Sequence, residues 1–206
     1  MANELTVSCV EPYKSGMATL LQTLVADSCA TMQSLLSQEE AFNKIADAVV
    51  ASLRAGGKIL TCGNGGSAAD AMHLSEELVG RYNKNRQSMP AICLSADPTL
   101  LTCISNDFGY EQVFARQVEG LGHKGDVLVC FTSSGNSVNI IRALEMARKK
   151  GVTSVALLGK GGGKTVGRAD LELIVKSNDT ARVQEAHNLV FHGLLEVIER
   201  QLAVYE

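Results

Sequence analysis

After residue 57, short and mainly apolar runs alternate with amphipathic helical stretches, and this alternation constrains the fold more than any other feature of the chain. The runs that predict strands cover residues 58–62, 91–94, 126–131, 153–158 and 171–175. They do not alternate between apolar and polar residues, which is typical of strands buried on both faces of a sheet. Helical periodicity lies between successive runs. The sequence therefore predicts an α/β fold with a doubly wound, five-stranded parallel sheet.

Two helical stretches precede the first predicted strand. Apolar residues recur at spacings of three and four in two parts of residues 11–55. Ser37 predicts the start of the second helix, and Gly56 predicts its end. We expect residues 1–56 to form a helical extension that packs on the domain and contributes to an oligomer interface. Residues 57–206 then form the main domain, and the two parts make one structural unit.

Composition and charge exclude several classes of protein. An apolar fraction of 46% in 206 residues excludes intrinsic disorder, and no apolar run reaches the roughly 20 residues of a membrane helix. The net charge of −3 argues against a general nucleic-acid binder. The N-terminus lacks the features of a signal peptide. Six cysteines occur singly, without a Cys-x-x-Cys motif, which favours a reducing, cytoplasmic location.

A glycine-rich loop follows the first predicted strand and opens a helix. Gly63, Gly65 and Ala68 satisfy the G-x-G-x-x-A pattern of dinucleotide-binding loops. The acidic residue that this pattern requires about 20 residues later is poorly matched, since the best candidate, Asp97, lies 34 residues after Gly63. A tight packing turn is the alternative. A small, oxygen-rich ligand at the start of the helix fits better than a dinucleotide.

A second loop, after the third predicted strand, is rich in hydroxyl groups. Its hydroxyl side chains belong to Thr132, Ser133, Ser134 and Ser137. A helix N-terminus surrounded by hydroxyl donors suits a phosphate monoester. The alternative is an ordinary helix cap, but one cap accounts for one hydroxyl and not for four. Both loops follow strands, so both belong to the carboxyl edge of the sheet, where ligands bind in such folds.

A third glycine-rich segment, residues 159–165, resembles a nucleotide-binding P-loop. Its spacing is one residue short of the G-x-x-x-x-G-K-[ST] pattern. No good helix follows it, because Gly167 and Asp170 come within five residues of Thr165. We therefore expect a flexible loop and no ATP site.

Histidines and carboxylates supply a candidate metal or acid–base site. His73 and Glu77 are four residues apart on the helix after the glycine loop, so they share one face and can bind one metal ion. An exposed His–Glu contact is the commoner meaning of that spacing. On the last helix, Gln184 and His192 are eight residues apart, about 12 Å along the axis. They meet at one metal only by reaching toward each other or by coming from different subunits.

The other two histidines carry no predicted chemistry. His187 lies on the apolar stripe of the last helix, which predicts a hydrogen-bonded histidine in the core or in an interface. His123 lies in a Gly-His-Lys-Gly turn, and we expect it to be exposed.

Taken together, these segments resemble the sugar isomerase (SIS) domain family over about residues 40–200. The matching segments are CGNGGS at 62–67, DAMH at 70–73, EELVGRY at 76–82, SNDFGY at 105–110, RQVE at 116–119, GD at 125–126, TSSGNS at 132–137 and ARVQEAH at 181–187. The resemblance implies the SIS fold, which has the flavodoxin-like arrangement. One departure is Thr132, where the family usually has serine, and it keeps the hydroxyl.

The resemblance also implies site residues and an assembly. It implies one zinc ion per subunit, held by His73, Glu77, Gln184 and His192. Glu77 and His192 are the implied acid–base pair. The implied substrate contacts are Asn64, Gly65, Gly66, Ser67, Glu77, Arg81, Asn106, Asp107, Thr132, Ser133, Ser134, Ser137 and Gln184. The implied assembly is a homotetramer with active sites at subunit interfaces.

The activity that the resemblance implies is an aldose–ketose isomerisation. It converts sedoheptulose 7-phosphate to D-glycero-D-manno-heptose 7-phosphate through an enediol, on the route to a lipopolysaccharide precursor. The alternative is a non-catalytic SIS-domain tetramer that binds a protein such as the replication initiator DnaA. A sugar-phosphate-sensing regulator ranks last, because residues 1–56 are too acidic for a DNA reader. The length of the sugar, the metal's identity, the downstream glycan pathway and the subunit that supplies each residue stay open.

Overall fold

A computed structural model describes residues 19–202 of the chain. Its helices are α1 Leu20–Ser34, α2 Glu39–Arg54, α3 Gly66–Val79, α4 Pro98–Phe108, α5 Ala115–Leu121, α6 Val138–Lys150 and α7 Thr180–Leu202. Its strands are β1 Ile59–Gly63, β2 Ala91–Cys93, β3 Val127–Thr132, β4 Thr153–Leu158 and β5 Leu171–Ile174. The predicted helical residues 11–18 lie outside the described residues. Within residues 19–202, no helix combines the length and apolar character needed to span a membrane.

The five strands form one parallel sheet in the order β2-β1-β3-β4-β5, which confirms the predicted fold. Along the chain, the sheet grows from β1 to β2 in one direction and from β3 to β5 in the other. The direction therefore changes between β1 and β3. Ligands of doubly wound sheets bind at the carboxyl ends of the strands at this point. The glycine loop follows β1 and the serine-rich loop follows β3, so both flank the expected ligand position.

Apolar side chains cover both faces of the sheet. Every residue of β1 and β3 is buried, as the uninterrupted apolar runs predicted. On one face, α2, α3 and α7 pack against strand residues such as Phe131. On the other face, α5 and α6 pack against residues such as Leu128. The helix α3, which starts at the glycine loop, therefore lies directly beside α7 on one face.

The N-terminal helices are confirmed, and α2 begins two residues after Ser37, but Ser37 is not its N-cap. Helix α1 begins at a capping box in which Thr19 and Gln22 satisfy each other's backbone N–H groups. Ser37 does not cap α2, because its hydroxyl donates to the Ser34 carbonyl within a 3₁₀ turn. The chain stays helical between α1 and α2, so no extended residue is present to act as a cap there. Helix α2 shares the core of the sheet through residues such as Ile45.

The segment predicted to be a flexible loop, residues 159–165, folds into consecutive tight turns packed on the serine-rich loop, and Gly161, Gly162 and Gly163 in it have positive φ. Thr165 is buried, and both its backbone N–H and its hydroxyl donate to the Gly135 carbonyl, at 2.9 and 2.7 Å. Gly135 has a φ of 62°, and a Cβ there would collide with the Gly162 carbonyl oxygen. The two segments fit together because both are glycine-rich, so the serine-rich loop has a backing that local sequence does not indicate.

Candidate active site

The two loops at the carboxyl edge of the sheet enclose one small cavity. Its volume is about 200 Å³, and it is lined by Asn64, Ser67, Phe131, Thr132, Ser133, Ser134 and Ser137. The glycine loop contributes the first two of these residues, and the end of β3 with the serine-rich loop contributes the others. The structure therefore brings five of the predicted hydroxyl-bearing substrate residues together around a space that suits a phosphate group.

The hydroxyl groups in this cavity are placed to donate hydrogen bonds to an anion. Thr132 and Ser134 accept hydrogen bonds from backbone N–H groups of the loop, at 3.1 and 3.2 Å. Each hydroxyl proton stays available, because a hydroxyl has two acceptor lone pairs and one donor. Ser137 is the N-cap residue of α6, but its side chain makes no capping hydrogen bond. The capping alternative therefore accounts for the position of Ser137 but not for the use of its hydroxyl.

The side chain of Asn64 is held by two residues that the sequence analysis did not identify as part of the site. Tyr110 donates its hydroxyl proton to Asn64 Oδ1 at 2.9 Å. Asn139, in the first turn of α6, exchanges two amide hydrogen bonds with Asn64, at 3.0 and 2.8 Å. These contacts tie the glycine loop to α6. They use the Asn64 carbonyl oxygen twice and its amide nitrogen once.

A second, wider cavity of about 670 Å³ adjoins the first and shares Asn64 and Ser137 with it. Its other lining residues are Tyr110, Glu111, Val138 and Asn139. Tyr110 belongs to the SNDFGY segment that supports the family resemblance, and this is the only sequence signal for its presence here. No comparable signal marks Asn139.

Three of the four predicted metal ligands meet between α3 and α7. Ligand atoms of His73, Glu77 and His192 all lie within 4.8 Å of one another. His73 Nε2 is 3.4 Å from Glu77 Oε1, and the two imidazole rings have centroids 5.1 Å apart. The Glu77 side chain is 17% exposed, whereas that of its neighbour Glu76 is 67% exposed. The alternative of an exposed His–Glu contact therefore does not describe Glu77, because α7 covers it.

This donor set fits a zinc ion. Two imidazole nitrogens and one carboxylate oxygen are ligands that zinc takes in catalytic sites, where three protein ligands leave one position open. The spacing of the three donors is within the span of a single coordination shell.

Helices α3 and α7 run side by side in the same direction, so their residues pair along their length. Gln184 lies against Gly66, where an added Cβ would collide with its side-chain amide. Asn188 donates to Asp70 Oδ1 at 2.9 Å, and His192 lies next to His73. Gln184 is thus about two helical turns from the three-residue cluster and close to the glycine loop. The role of Gln184 as a fourth ligand stays a prediction.

Burial changes the acid–base behaviour of groups along this helix pair. Burial, and then the nearby His73, lower the pKa of His192, while Glu77 opposes the shift. Neutral His192 is the form that binds a metal ion or accepts a proton, and it is the form that this environment favours. Burial also raises the pKa of Asp70 to about 6, although its hydrogen bond from Asn188 opposes the shift.

The predicted substrate residues Arg81, Asn106 and Asp107 lie apart from these cavities. Arg81 is exposed just beyond the C-terminus of α3. Asn106 donates to Asp107 Oδ1 at 2.8 Å at the exposed end of α4. None of the three is among the described residues that line the two cavities. In a single chain, their predicted contact with substrate therefore has no geometric support.

Three other candidates from the sequence have local explanations. Asp97, the acid considered for a dinucleotide, caps α4 by accepting from the backbone N–H groups of Thr99 and Leu100. His123 is exposed, as predicted, and lies near Lys58 at the opposite edge of the sheet. His187 is fully buried, as the apolar stripe predicted, with its Nε2 3.4 Å from the Leu158 carbonyl oxygen.

Comparisons with known proteins agree with this geometry. The family model described as "SIS domain" matches residues 25–159. A phosphoheptose isomerase of Sodalis glossinidius is 50% identical over 187 residues, which cover 89% of this chain and 96% of that protein. The structure of a Neisseria gonorrhoeae phosphoheptose isomerase is 37% identical, with a TM-score of 0.79 over 88% of this chain and 100% of the other. A Francisella tularensis phosphoheptose isomerase structure gives 34% identity, a TM-score of 0.81, and coverage of 89% and 100%.

Proposed function

The chain belongs to the SIS domain family and, within it, to the phosphoheptose isomerases, and we propose from this that it converts sedoheptulose 7-phosphate to D-glycero-D-manno-heptose 7-phosphate. One observation carries the proposal at the level of the site. The hydroxyl-lined cavity and the His73–Glu77–His192 cluster lie at successive positions along α3. A single extended sugar phosphate can therefore place its phosphate at the first and its carbonyl end at the second.

Isomerisation between a ketose and an aldose moves a proton between C1 and C2 through an enediol. Glu77 takes the proton from the carbon, and His192 exchanges the proton on the neighbouring oxygen. A positioned general acid or base contributes typically 10²- to 10⁴-fold to such a step. The partial burial of Glu77 keeps competing water away from the carboxylate.

We further propose that the cluster holds one zinc ion per subunit through His73, Glu77 and His192, with Gln184 as the fourth ligand. When bound, the ion polarises the substrate carbonyl and stabilises the negative charge of the enediolate. Glu77 then has two functions, as a ligand and as the proton acceptor. Variants of Glu77 must therefore be examined for metal content as well as turnover.

The serine-rich loop supplies binding energy far from the reacting carbons. Hydroxyl and backbone N–H donors hold the phosphate without a lysine or arginine in the loop. Binding energy from a remote group lowers the barrier when it positions the reacting atoms. The firm attachment of this loop to residues 160–165 supports that use.

A homotetramer in the cytoplasm completes the proposal. Leu20, Leu21 and Val25 of α1 are 63%, 70% and 52% exposed, and such a helix face is suited to burial against another copy. A subunit interface would also bring three predicted substrate residues of one subunit to the site of another, namely Arg81, Asn106 and Asp107. Sedimentation analysis tests the assembly, and an active monomer would contradict it.

The decisive experiment is an isomerase assay on sedoheptulose 7-phosphate with metal analysis of the same sample. Turnover by protein containing one zinc per chain supports the proposal. The alternative, a non-catalytic tetramer that binds DnaA, predicts no turnover in zinc-loaded protein and a complex with the initiator. The clustering of His73, Glu77 and His192 disfavours it, because a binding module has no need of such a cluster.

A further inference from the structure

A buried ion pair next to the cluster joins the segment after α3 to the end of α7. Arg86 lies in that segment, and its side chain is fully buried. Its Nε donates to Glu199 Oε1 at 2.8 Å, and the Glu199 side chain is only 5% exposed. Buried charges of this kind are rare unless they are paired and hydrogen-bonded.

The remaining donors of Arg86 bind backbone carbonyls, two at the end of α3 and also that of Gln87, to which Nη1 donates at 3.0 Å. Its Nη2 donates to the Glu77 carbonyl at 2.6 Å, and its Nη1 donates to the Leu78 carbonyl at 3.0 Å. The last carbonyls of a helix lack partners within the helix and carry its negative dipole end. The guanidinium binds two of them at once, and the Leu78 carbonyl also accepts from the Met89 backbone N–H at 3.0 Å. One of the two belongs to Glu77 itself, so Arg86 fixes the backbone that carries the proposed base.

Glu199 supplies the other half of the connection. It lies seven residues, or about two turns, after His192 on α7. Its Oε1 also accepts from the Asn83 backbone N–H at 3.4 Å. A series of hydrogen bonds thus connects the Glu77 carbonyl through Arg86 to Glu199 on α7, the helix that carries His192.

From this geometry we propose that Arg86 and Glu199 are positioning residues for the site. Together they fix the separation of Glu77 and His192 by clamping the C-terminal end of α3 to α7. The proposal rests on the function proposed above, because it assigns the pair to that reaction. Neither residue touches the substrate, and both act through the backbone of the two helices.

Stability alone does not require an ion pair at this place. Replacing a buried pair by apolar side chains of similar size is often neutral or stabilising, whereas removing one partner leaves an unpaired buried charge. Apolar side chains would fill the space but would not bind the two carbonyls. The planar, forked guanidinium of arginine fixes the positions of the groups that it binds and also fills the space.

The test compares the double variant Arg86→Met/Glu199→Met with the full-length parent chain. Both charges are removed together, so no unpaired charge is left. We expect a folded protein whose zinc affinity, measured by competition with a chromogenic chelator, is about tenfold lower or more. We also expect kcat to fall while KM changes little, because the phosphate cavity is untouched. The single variant Arg86→Lys should have a zinc affinity between those of the parent chain and the double variant, since we expect a lysine to bind one of the two carbonyls but not both.

Lys58→Met is the matched control. Lys58 pairs with Asp126 at 2.6 Å, and both side chains are largely buried at the opposite edge of the sheet. Asp126 keeps its backbone donors from Lys58 and His123. We expect this variant to lose thermal stability and to keep its zinc affinity and kcat.

The histidine ring resonances of each variant, recorded by NMR without added metal, give a readout that needs neither zinc nor turnover. The His73 and His192 signals should shift in the double variant and stay in place in Lys58→Met, because the two rings make an edge-to-face contact, so a change in the separation of α3 and α7 alters the surroundings of both. A folded double variant with parental zinc affinity, kcat and ring signals would overturn the proposal. If the double variant does not fold, Arg86→Lys with parental values would do the same. A parent chain that fails to isomerise sedoheptulose 7-phosphate would refute the proposed function instead, while the ring signals would still test the clamp.

Discussion

The two ends of α3 make their parts of the site in different ways. At its N-terminal end, the hydroxyl-lined cavity is built from backbone and hydroxyl groups of two short loops, each continuous in sequence. Toward its C-terminal end, the cluster needs side chains from α3 and α7, more than 100 residues apart. The first part depends on local chain geometry. The second depends on how two helices pack, so substitutions outside the site can disrupt it.

The two ends also differ in how they respond to protonation. The hydroxyl and N–H groups around the cavity do not titrate in the physiological range. The cluster contains His192, whose pKa is lowered by burial and by the nearby His73. Substrate affinity at the loop end should therefore follow the charge of the phosphate, whereas turnover should follow the protonation of His192.

The largest effect is expected from Glu77→Gln, which removes the charge and most of the basicity while keeping the size. Turnover should fall by roughly 10²- to 10⁴-fold, because proton transfer is lost. His192→Asn should have a similar effect, and the double variant should be little worse than either single variant, because the two residues act as a unit. Steady-state kinetics with zinc analysis of each sample measure this.

For Glu77, the zinc content separates a lost ligand from a lost base. Glu76→Gln is the matched control, because Glu76 is the exposed neighbour on the same helix turn. Full turnover by Glu77→Gln would show that the cluster is not the catalytic end of the site.

A smaller effect is expected at the other end of α3. Ser134→Ala/Ser137→Ala removes two hydroxyl donors from the cavity. Since a hydrogen bond to a charged group contributes about 1.5–3 kcal/mol, substrate affinity should fall by about tenfold or more. Calorimetric titration with sedoheptulose 7-phosphate measures the change. Ser37→Ala, in the 3₁₀ turn before α2, is the control, and unchanged affinity in the double variant would place the phosphate elsewhere.

Gly66→Ala tests the contribution of Gln184, which lies against the glycine loop on the helix that also carries His192. The new methyl group collides with the flexible end of Gln184, so the fold should survive while Gln184 moves. If Gln184 contributes to the metal or the substrate, zinc affinity or kcat/KM should fall by about tenfold. Gly120→Ala in α5 is the control, because nothing lies within 4 Å of its added Cβ. Parental zinc affinity and kinetics in Gly66→Ala would remove Gln184 from the site.

Tyr110→Phe should have a modest effect confined to the loop end. It deletes the hydrogen bond to Asn64 Oδ1 and keeps the ring. A neutral hydrogen bond contributes about 0.5–1.5 kcal/mol, so KM should rise by roughly two- to tenfold while zinc affinity stays the same. A fall in zinc affinity would mean that the two ends are coupled more strongly than their separate construction indicates.

The smallest effect on activity is expected from His187→Leu, whose consequence is on stability. Burial lowers the pKa of His187 to about 4, from an ordinary value of 6.5. The unfolded chain therefore binds a proton more readily, and stability falls as the pH drops from 6.5 toward 4. The complete loss of unfolding free energy is on the order of 3 kcal/mol, and His187→Leu should not show it.

Chemical denaturation of both proteins at pH 7.5 and pH 4 measures the difference. Asp70 has its pKa raised to about 6, so its contribution falls with rising pH, and it cancels in the comparison because both proteins carry it. Parallel pH profiles of the two proteins would show that His187 is not a neutral core histidine.

Local chemistry in the sequence was enough to predict the sheet, both loops and the His73–Glu77 pair. Uninterrupted apolar runs are what strands covered on both faces require, and each strand is found where its run lies. The serine-rich loop was predictable because its four hydroxyl side chains lie within six consecutive residues, 132–137. The sequence did not predict that the Ser37 hydroxyl binds the Ser34 carbonyl and leaves α2 uncapped, or that Thr165 binds the Gly135 carbonyl, because composition does not record contacts with neighbouring carbonyls and glycines.

By itself, the sequence determined which residues share a strand, a loop or a helix face, because those relations follow from the fixed repeat of the backbone. Only the tertiary structure decided which helices are neighbours and in what register. The parallel packing of α3 on α7 sets His192 beside His73, leaves Gln184 near Gly66, and gives Arg86 its place between Glu77 and Glu199. That register results from side-chain packing over the whole face of the sheet, and no periodicity within one segment encodes it.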